Sequence, residues 1–157
     1  MKASVARVVE ALQGAGLDVE IKEFAESTRT AEEAASAVGS TVGQIVKSLV
    51  FLAGEDPILA LVSGDNRADT AKLAHIAGAT IRRADADVVR RATGFSIGGV
   101  PPLGHTSPLP TYLDRDLMRY AVVWAAAGTP NAVFAIAPHD LKRVASASVV
   151  DLAVETA

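Results

Sequence analysis

Ser48-Leu-Val-Phe-Leu-Ala53 and Ile58-Leu-Ala-Leu-Val-Ser63, separated by Gly54-Glu-Asp-Pro57, decide the fold class. Both runs are six residues long, apolar and rich in β-formers, and turn residues lie between them. That pattern predicts two core strands joined as a hairpin. Around this hairpin the chain reads as helices, then strands, then helices, then more strands. Val5, Val8, Val9 and Leu12 have helical spacing, and Gly14 and Gly16 end that helix. Residues 19–24 alternate apolar and charged, as a half-buried strand does. Thr30-Ala-Glu-Glu33 is a capping box opening a helix that closes at Gly39. Thr41-Val-Gly-Gln44 is a weaker one, for a turn ending near Lys47. Asp69 and Asp85 cap two more helices, stopped at Gly78 and Gly94, with a short strand at 80–83 between them. Residues 111–114, 122–126, 132–137 and 149–154 read as strands, and Pro138 starts a short helix. Irregular alternation of this kind implies α+β with a mixed sheet, not a βαβ repeat.

Composition sets the bounds. The chain has 157 residues, which predicts one domain over 1–157. Half the residues are hydrophobic, enough to bury about 70% of the unfolded surface without staples. No apolar run reaches the ~18 residues of a membrane span, and the start of the chain, Met1-Lys2-Ala3-Ser4, has no apolar signal core. There are no cysteines, which excludes disulfides, thiolate catalysis and Cys-based metal sites and is compatible with the cytoplasm. Fifteen basic residues face 18 acidic ones. A protein that tracks nucleic acid by bulk charge is strongly basic, so any contact with nucleic acid is local.

The loop Gly94-Phe-Ser-Ile-Gly-Gly-Val-Pro-Pro-Leu-Gly-His105 stands apart. It contains G-x-S-x-G around Ser96, the pattern of a hydrolase nucleophile elbow. That elbow needs a strand before and a helix after, and Gly-Val-Pro-Pro follows instead. A second reading uses the backbone. Gly98 and Gly99 let N–H groups approach a ligand closely, and Pro101 and Pro102 stiffen the loop behind them. Rigid, exposed N–H groups are what an oxyanion hole needs. A plain structural turn is the competing reading. Lys47, where a helical turn meets a buried strand, either snorkels to solvent or holds an ammonium at a cavity mouth for a phosphate or carboxylate. His75, His105 and His139 are scattered without metal-ligand spacing, so no metal site is expected. His105, inside the Gly/Pro loop, is a candidate substrate contact. Arg82-Arg83 and Arg90-Arg91 could touch phosphates, but Asp85 and Asp87 between them favour a solvated mixed-charge face.

An ordered set of residues carries a resemblance. It comprises Lys47 entering an apolar strand, Gly64-Asp65, Gly98-Gly-Val-Pro-Pro102, Tyr-Leu-Asp114, Gly128-Thr-Pro-Asn-Ala-Val-Phe134 and Asp140-Leu141. In that order, over nearly the whole chain, they resemble the YbaK/EbsC-type domain of prolyl-tRNA synthetase editing domains and their free-standing relatives. The resemblance implies an α+β fold with a mixed, partly barrel-like sheet flanked by short helices. It implies trans editing, the hydrolysis of a mischarged aminoacyl-tRNA ester, foremost tRNA for proline carrying Ala, Cys or another small amino acid. It implies no cofactor: a water attacks with help from a ribose hydroxyl, Gly-loop amides steady the oxyanion, and Lys47 orients the substrate. Lys47, Gly98 and Gly99 would carry the chemistry. Ser48, Val100, Pro101, Pro102, Gly128, Thr129 and Asn131 would border the substrate. Asp114 would be structural. Ser48 departs from the Thr or Asn of several relatives, at a position that should border the pocket. The expected partners are the aminoacyl-tRNA acceptor end and an aminoacyl-tRNA synthetase. The same residues suit a non-catalytic module that only holds tRNA ends or a synthetase.

Overall fold

The computed structural model describes residues 2–25 and 30–155. The predicted hairpin is its centre. Strands β2 (Val46–Ala53) and β3 (Asp56–Ser63) pair antiparallel along their whole length, from Val46 opposite Ser63 to Ala53 opposite Asp56. The loop is therefore two residues, Gly54-Glu55, not the four expected. Gly54 at φ +64° supplies the positive φ that such a loop needs at its first position. Pro57 falls inside β3, opposite Leu52 and before β5 begins to pair at Leu59, so its missing N–H costs no ladder bond to β5.

Helix α1 (Ala3–Gly14) precedes β1 (Ile21–Glu23) and α2 (Ala31–Val38). A 3₁₀ turn at Val42–Gln44 leads into β2. After β3 come α3 (Thr70–Ala77), β4 (Ile81–Arg83), α4 (Ala86–Thr93) and β5 (Thr111–Asp114). A second 3₁₀ turn, Arg115–Arg119, precedes β6 (Val123–Ala126), β7 (Ala132–Ile136), α5 (Pro138–Val144) and β8 (Ser148–Val150). The caps behave as residue chemistry dictates. Thr30 Oγ1 accepts from the Glu33 N–H at 3.1 Å, and Asp85 Oδ1 accepts from the Val88 N–H at 2.9 Å. Asp69 Oδ1 accepts from the N–H groups of Ala71 and Lys72. Gly39, Gly78 and Gly94 end their helices in the left-handed region.

Five strands form one sheet in the order β4-β2-β3-β5-β8, and three form another, β1-β7-β6. β3 with β5 and β5 with β8 are parallel, and the other pairs are antiparallel. The architecture is thus α+β with mixed pairing. A parallel bridge between Ile45 and Trp124 joins the two sheets. Beyond that bridge they part. β4 pairs with β2 only over residues 51–53, so residues 46–49 carry no ladder pairing on that edge among the described residues. The main core packs in the angle between the sheets, with Val5, Val8 and Leu12 of α1, Leu59 and Leu61 of β3, and Phe134 of β7 all fully buried. Among the described residues, no helix is long and apolar enough to cross a membrane.

Candidate active site

The gap beside residues 46–49 opens into a cavity of about 300 Å³. β2 supplies Lys47 and Ser48, the 94–110 loop supplies Ile97, Gly98 and Val100, and the β6–β7 turn supplies Thr129 and Pro130. Val50, Ala84, Val89, Trp124 and Ala125 make the remaining wall largely apolar.

Lys47 sits one residue inside β2, opposite Val62, rather than at the strand boundary. It is half-buried and its ammonium donates to the Asn66 carbonyl. Asn66 is itself held. Its Nδ2 donates to Asp114 Oδ2 at 2.9 Å and to Asp116 Oδ2 at 2.8 Å, and its N–H donates to the Ser63 carbonyl at 2.9 Å. Asp114 is buried, and its Oδ2 also accepts the Ser63 N–H at 3.0 Å. A buried carboxylate is tolerated only when its lone pairs are filled, and here the filled carboxylate fixes the loop that seats the lysine. Burial pushes the Lys47 ammonium below its ordinary value, while Glu32, Asp114 and Asp65 push it back up.

The opposite wall is backbone. The Gly99 N–H donates to the Ser96 carbonyl at 3.0 Å, and Gly98 has φ +89°. These are the marks of a four-residue turn with glycine at its third position, as in type II. The turn engages the Gly99 amide, which was expected to face an oxyanion. The N–H groups of Gly98 and Val100, both in the cavity wall, make no hydrogen bond among the described residues. Gly99 is glycine for another reason: a Cβ there would lie 2.8 Å from Thr129 Cα. Ser96 is exposed and follows a helix and a bend, not a strand. It lacks the setting of a nucleophile elbow.

The loop is anchored from behind. Arg7 of α1 donates to the carbonyls of Gly94 (3.2 Å) and Gly104 (3.1 Å), and its guanidinium lies 4.4 Å from the Phe95 ring centroid. His105 Nε2 lies 2.7 Å from the Pro101 carbonyl, and its ring meets Phe95 edge-on. Burial lowers the His105 pKa, the Pro101 carbonyl opposes this, and Arg7 adds to the lowering. His105, Pro101 and Pro102 are absent from the cavity wall and brace the loop. Across the cavity, Thr129 Oγ1 donates to Asn131 Oδ1 at 3.0 Å, and Asn131 Nδ2 donates to the Phe24 carbonyl at 3.0 Å. Asn131 therefore ties β1 to the β6–β7 turn, while Thr129 faces the cavity. Gly128 has φ +100°, and a Cβ there would lie 2.6 Å from the Ser4 carbonyl oxygen.

Three of the residues expected around a substrate thus line the cavity with Lys47 and Gly98, namely Ser48, Val100 and Thr129, whereas Gly99 closes the turn beside it without lining it. Reading the sequence missed Arg7, Asn66, Trp124 and Ile97. Ile97 is half exposed, which its residue type did not foretell.

Residues 25–144 match the family model of the aminoacyl-tRNA editing domain. The chain belongs to that family. It is similar to a crystallised candidate trans-editing enzyme for prolyl-tRNA synthetase, at 49% identity and TM-score 0.94 over 99% of each chain. It is 34% identical to the uncharacterized protein YwhH of Bacillus subtilis, over 78% of each chain. A candidate Cys-tRNA(Pro)/Cys-tRNA(Cys) deacylase, EbsC of Enterococcus faecalis, is 30% identical over 74% of each chain. Proline–tRNA ligase of a Thermoanaerobacter species is 31% identical over 107 residues, only 19% of that enzyme.

Proposed function

We propose that this editing-domain protein is a deacylase that acts in trans, hydrolysing the ester of a mischarged tRNA. The preferred tRNA is the one for proline, carrying Ala, Cys or another small amino acid. The supporting observation is a small cavity with Lys47 in one wall and unengaged amides in the other. The acceptor end enters at the mouth, where Lys47 and Gly98 meet solvent. An aminoacyl ester is already activated, so positioning and charge stabilisation suffice. Lys47 orients the acceptor end through its negative and carbonyl oxygens. A water, assisted by the ribose hydroxyl beside the ester, attacks the carbonyl carbon. Charge develops on the carbonyl oxygen and is met by the N–H groups of Gly98 and Val100. The ester C–O bond breaks, the ribose oxygen takes a proton, and free amino acid and tRNA leave. The mechanism needs no protein nucleophile and no cofactor. The reaction belongs in the cytoplasm, with an aminoacyl-tRNA synthetase as supplier of substrate and candidate partner.

The test is a deacylation panel of tRNA for proline charged with Ala, Cys, Ser or Pro, run with wild type and Lys47→Ala. Clearance of a mischarged species with survival of the prolyl one, lost in the variant, supports the reading. Tight binding of charged tRNA with every ester intact would instead mean a holding module.

A further inference from the structure

Ser48 is the only described residue with a buried side-chain polar atom that lacks a hydrogen-bond partner. Such an atom is costly to leave unmet, and native proteins keep few of them. This one lies in the cavity wall. The side chain shares its sheet face with Val46 and Val50, whose core cluster also contains Val89, Val100 and Ala125. The Oγ is covered in this rotamer, and rotation about one bond, between staggered wells, redirects the hydroxyl on the sheet face that lines the cavity. The main chain at Ser48 is open too. Ladder alternation gives residues 48 and 50 the same outward edge. Val50 spends its carbonyl there on the Ala84 N–H at 3.2 Å, whereas Ser48 has no ladder partner on that edge among the described residues.

We propose that the Ser48 hydroxyl reads the side chain of the aminoacyl group and favours one bearing a hydroxyl. This rests on the deacylase reading above. The ester and ribose, common to every substrate, belong at the mouth with Lys47 and Gly98. The ester carbonyl faces the Gly98 and Val100 amides, and the α-ammonium, equally common, finds an acceptor in the open main-chain carbonyl of Ser48, which a side-chain substitution leaves in place. The Oγ is then left for the one variable group, in surroundings otherwise apolar. A seryl hydroxyl both donates and accepts and satisfies it fully. A cysteinyl thiol does so weakly. An alanyl methyl leaves it orphaned. The expected order is seryl, then cysteinyl, then alanyl.

The experiment measures kcat/KM for seryl- and alanyl-tRNA of the proline acceptor with wild type, Ser48→Ala and Ser48→Thr. It also measures binding of non-hydrolysable seryl-amido- and alanyl-amido-adenosine to the same proteins. Wild type should prefer the seryl species by about 10- to 100-fold, the span that one unmet buried hydrogen bond commands. Ser48→Ala should lose that preference, bringing the seryl and alanyl species within about twofold of each other, and Ser48→Thr should keep it. Thermal melting checks that the variants fold. Equal losses on both substrates would place Ser48 on a common part of the ligand and overturn the proposal. So would a wild-type preference for alanyl, or no effect of Ser48→Ala. Turnover without a seryl preference sinks this inference alone. A seryl preference in binding without turnover sinks the deacylase reading alone.

Discussion

The cavity has two unlike walls. On the β2 side Lys47 is part of the wall, and its ammonium is positioned by side chains: Asp114 and Asp116 hold Asn66, whose carbonyl holds Lys47. On the loop side main-chain amides face the space, and glycine, a turn and an arginine clamp position them. The contrast separates what each wall can lose. A side chain can be deleted from the first wall with the strand beneath it intact, because β2 is paired with β3 along its length. The second wall has no side chain to delete, so damage there is damage to backbone shape.

The largest effect should come from Lys47→Ala. Loss of a preorganised charge at a reacting group costs about 100-fold or more in rate. Deacylation should fall by that order with the melting temperature nearly unchanged. A folded variant with full activity would remove the lysine from the mechanism. Gly99→Ala should break the other wall differently. Its Cβ would meet Thr129 main chain, which cannot swing aside, so stability and activity should fall together. The expected cost is about 1–3 kcal/mol, read by denaturant melts beside rates. A variant impaired in rate alone would mean that the two walls fail alike.

Arg7→Met keeps most of the bulk and removes two charge-assisted bonds. About 2 kcal/mol of stability should go, and amide exchange should quicken in the 94–104 loop more than in β2. Uniform exchange would deny the clamp. Asp114→Asn tests how the first wall is tuned. The carboxylate holds the Lys47 pKa up against burial, so its removal should lower that pKa further. The alkaline fall in activity should then move to lower pH, with turnover below it reduced less than in Lys47→Ala.

The smallest effect concerns His105. Its pKa in the fold lies below the ordinary histidine value of about 6.5. Between the two values the unfolded chain binds more protons, so stability rises with pH through that window. The contribution is complete above the ordinary value and is lost as pH falls through the depressed one. Melting followed from neutral to mildly acidic pH should show this slope, and His105→Gln should flatten it.

The hairpin, the capped helices and the Pro138 start were legible because local chemistry decides them. Thr30, Asp69, Asp85 and the glycine stops act within four residues of their own backbone. Strand ends were less legible. Residues 19–24 shorten to Ile21–Glu23, and 149–154 to Ser148–Val150, since a strand extends only as far as a partner pairs with it. The 3₁₀ turn Arg115–Arg119 escaped because Asp114 was read as the end of a strand, yet its Oδ1 also accepts the Asp116 N–H at 2.9 Å. At the candidate site, residue types pointed to Lys47 and Gly98, and the family resemblance added Ser48. They could not name Asn66, whose part is a main-chain carbonyl, nor Arg7, which acts 87 and 97 residues along the chain. The engaged Gly99 amide was half readable. Ser-Ile-Gly-Gly suits a type II turn, and that turn always occupies the last of its four N–H groups when it closes.

Helix α1 lies outside residues 25–144, the part shared with the family model. Yet two of its residues, Arg7 and Ser4, back the loops on either side of the cavity mouth. The stretch that the family model spans and the stretch that braces the site are therefore not the same. A chain trimmed to the shared portion would retain the lysine and the glycines but lose the bracket behind them, like an instrument with all its strings and no bridge.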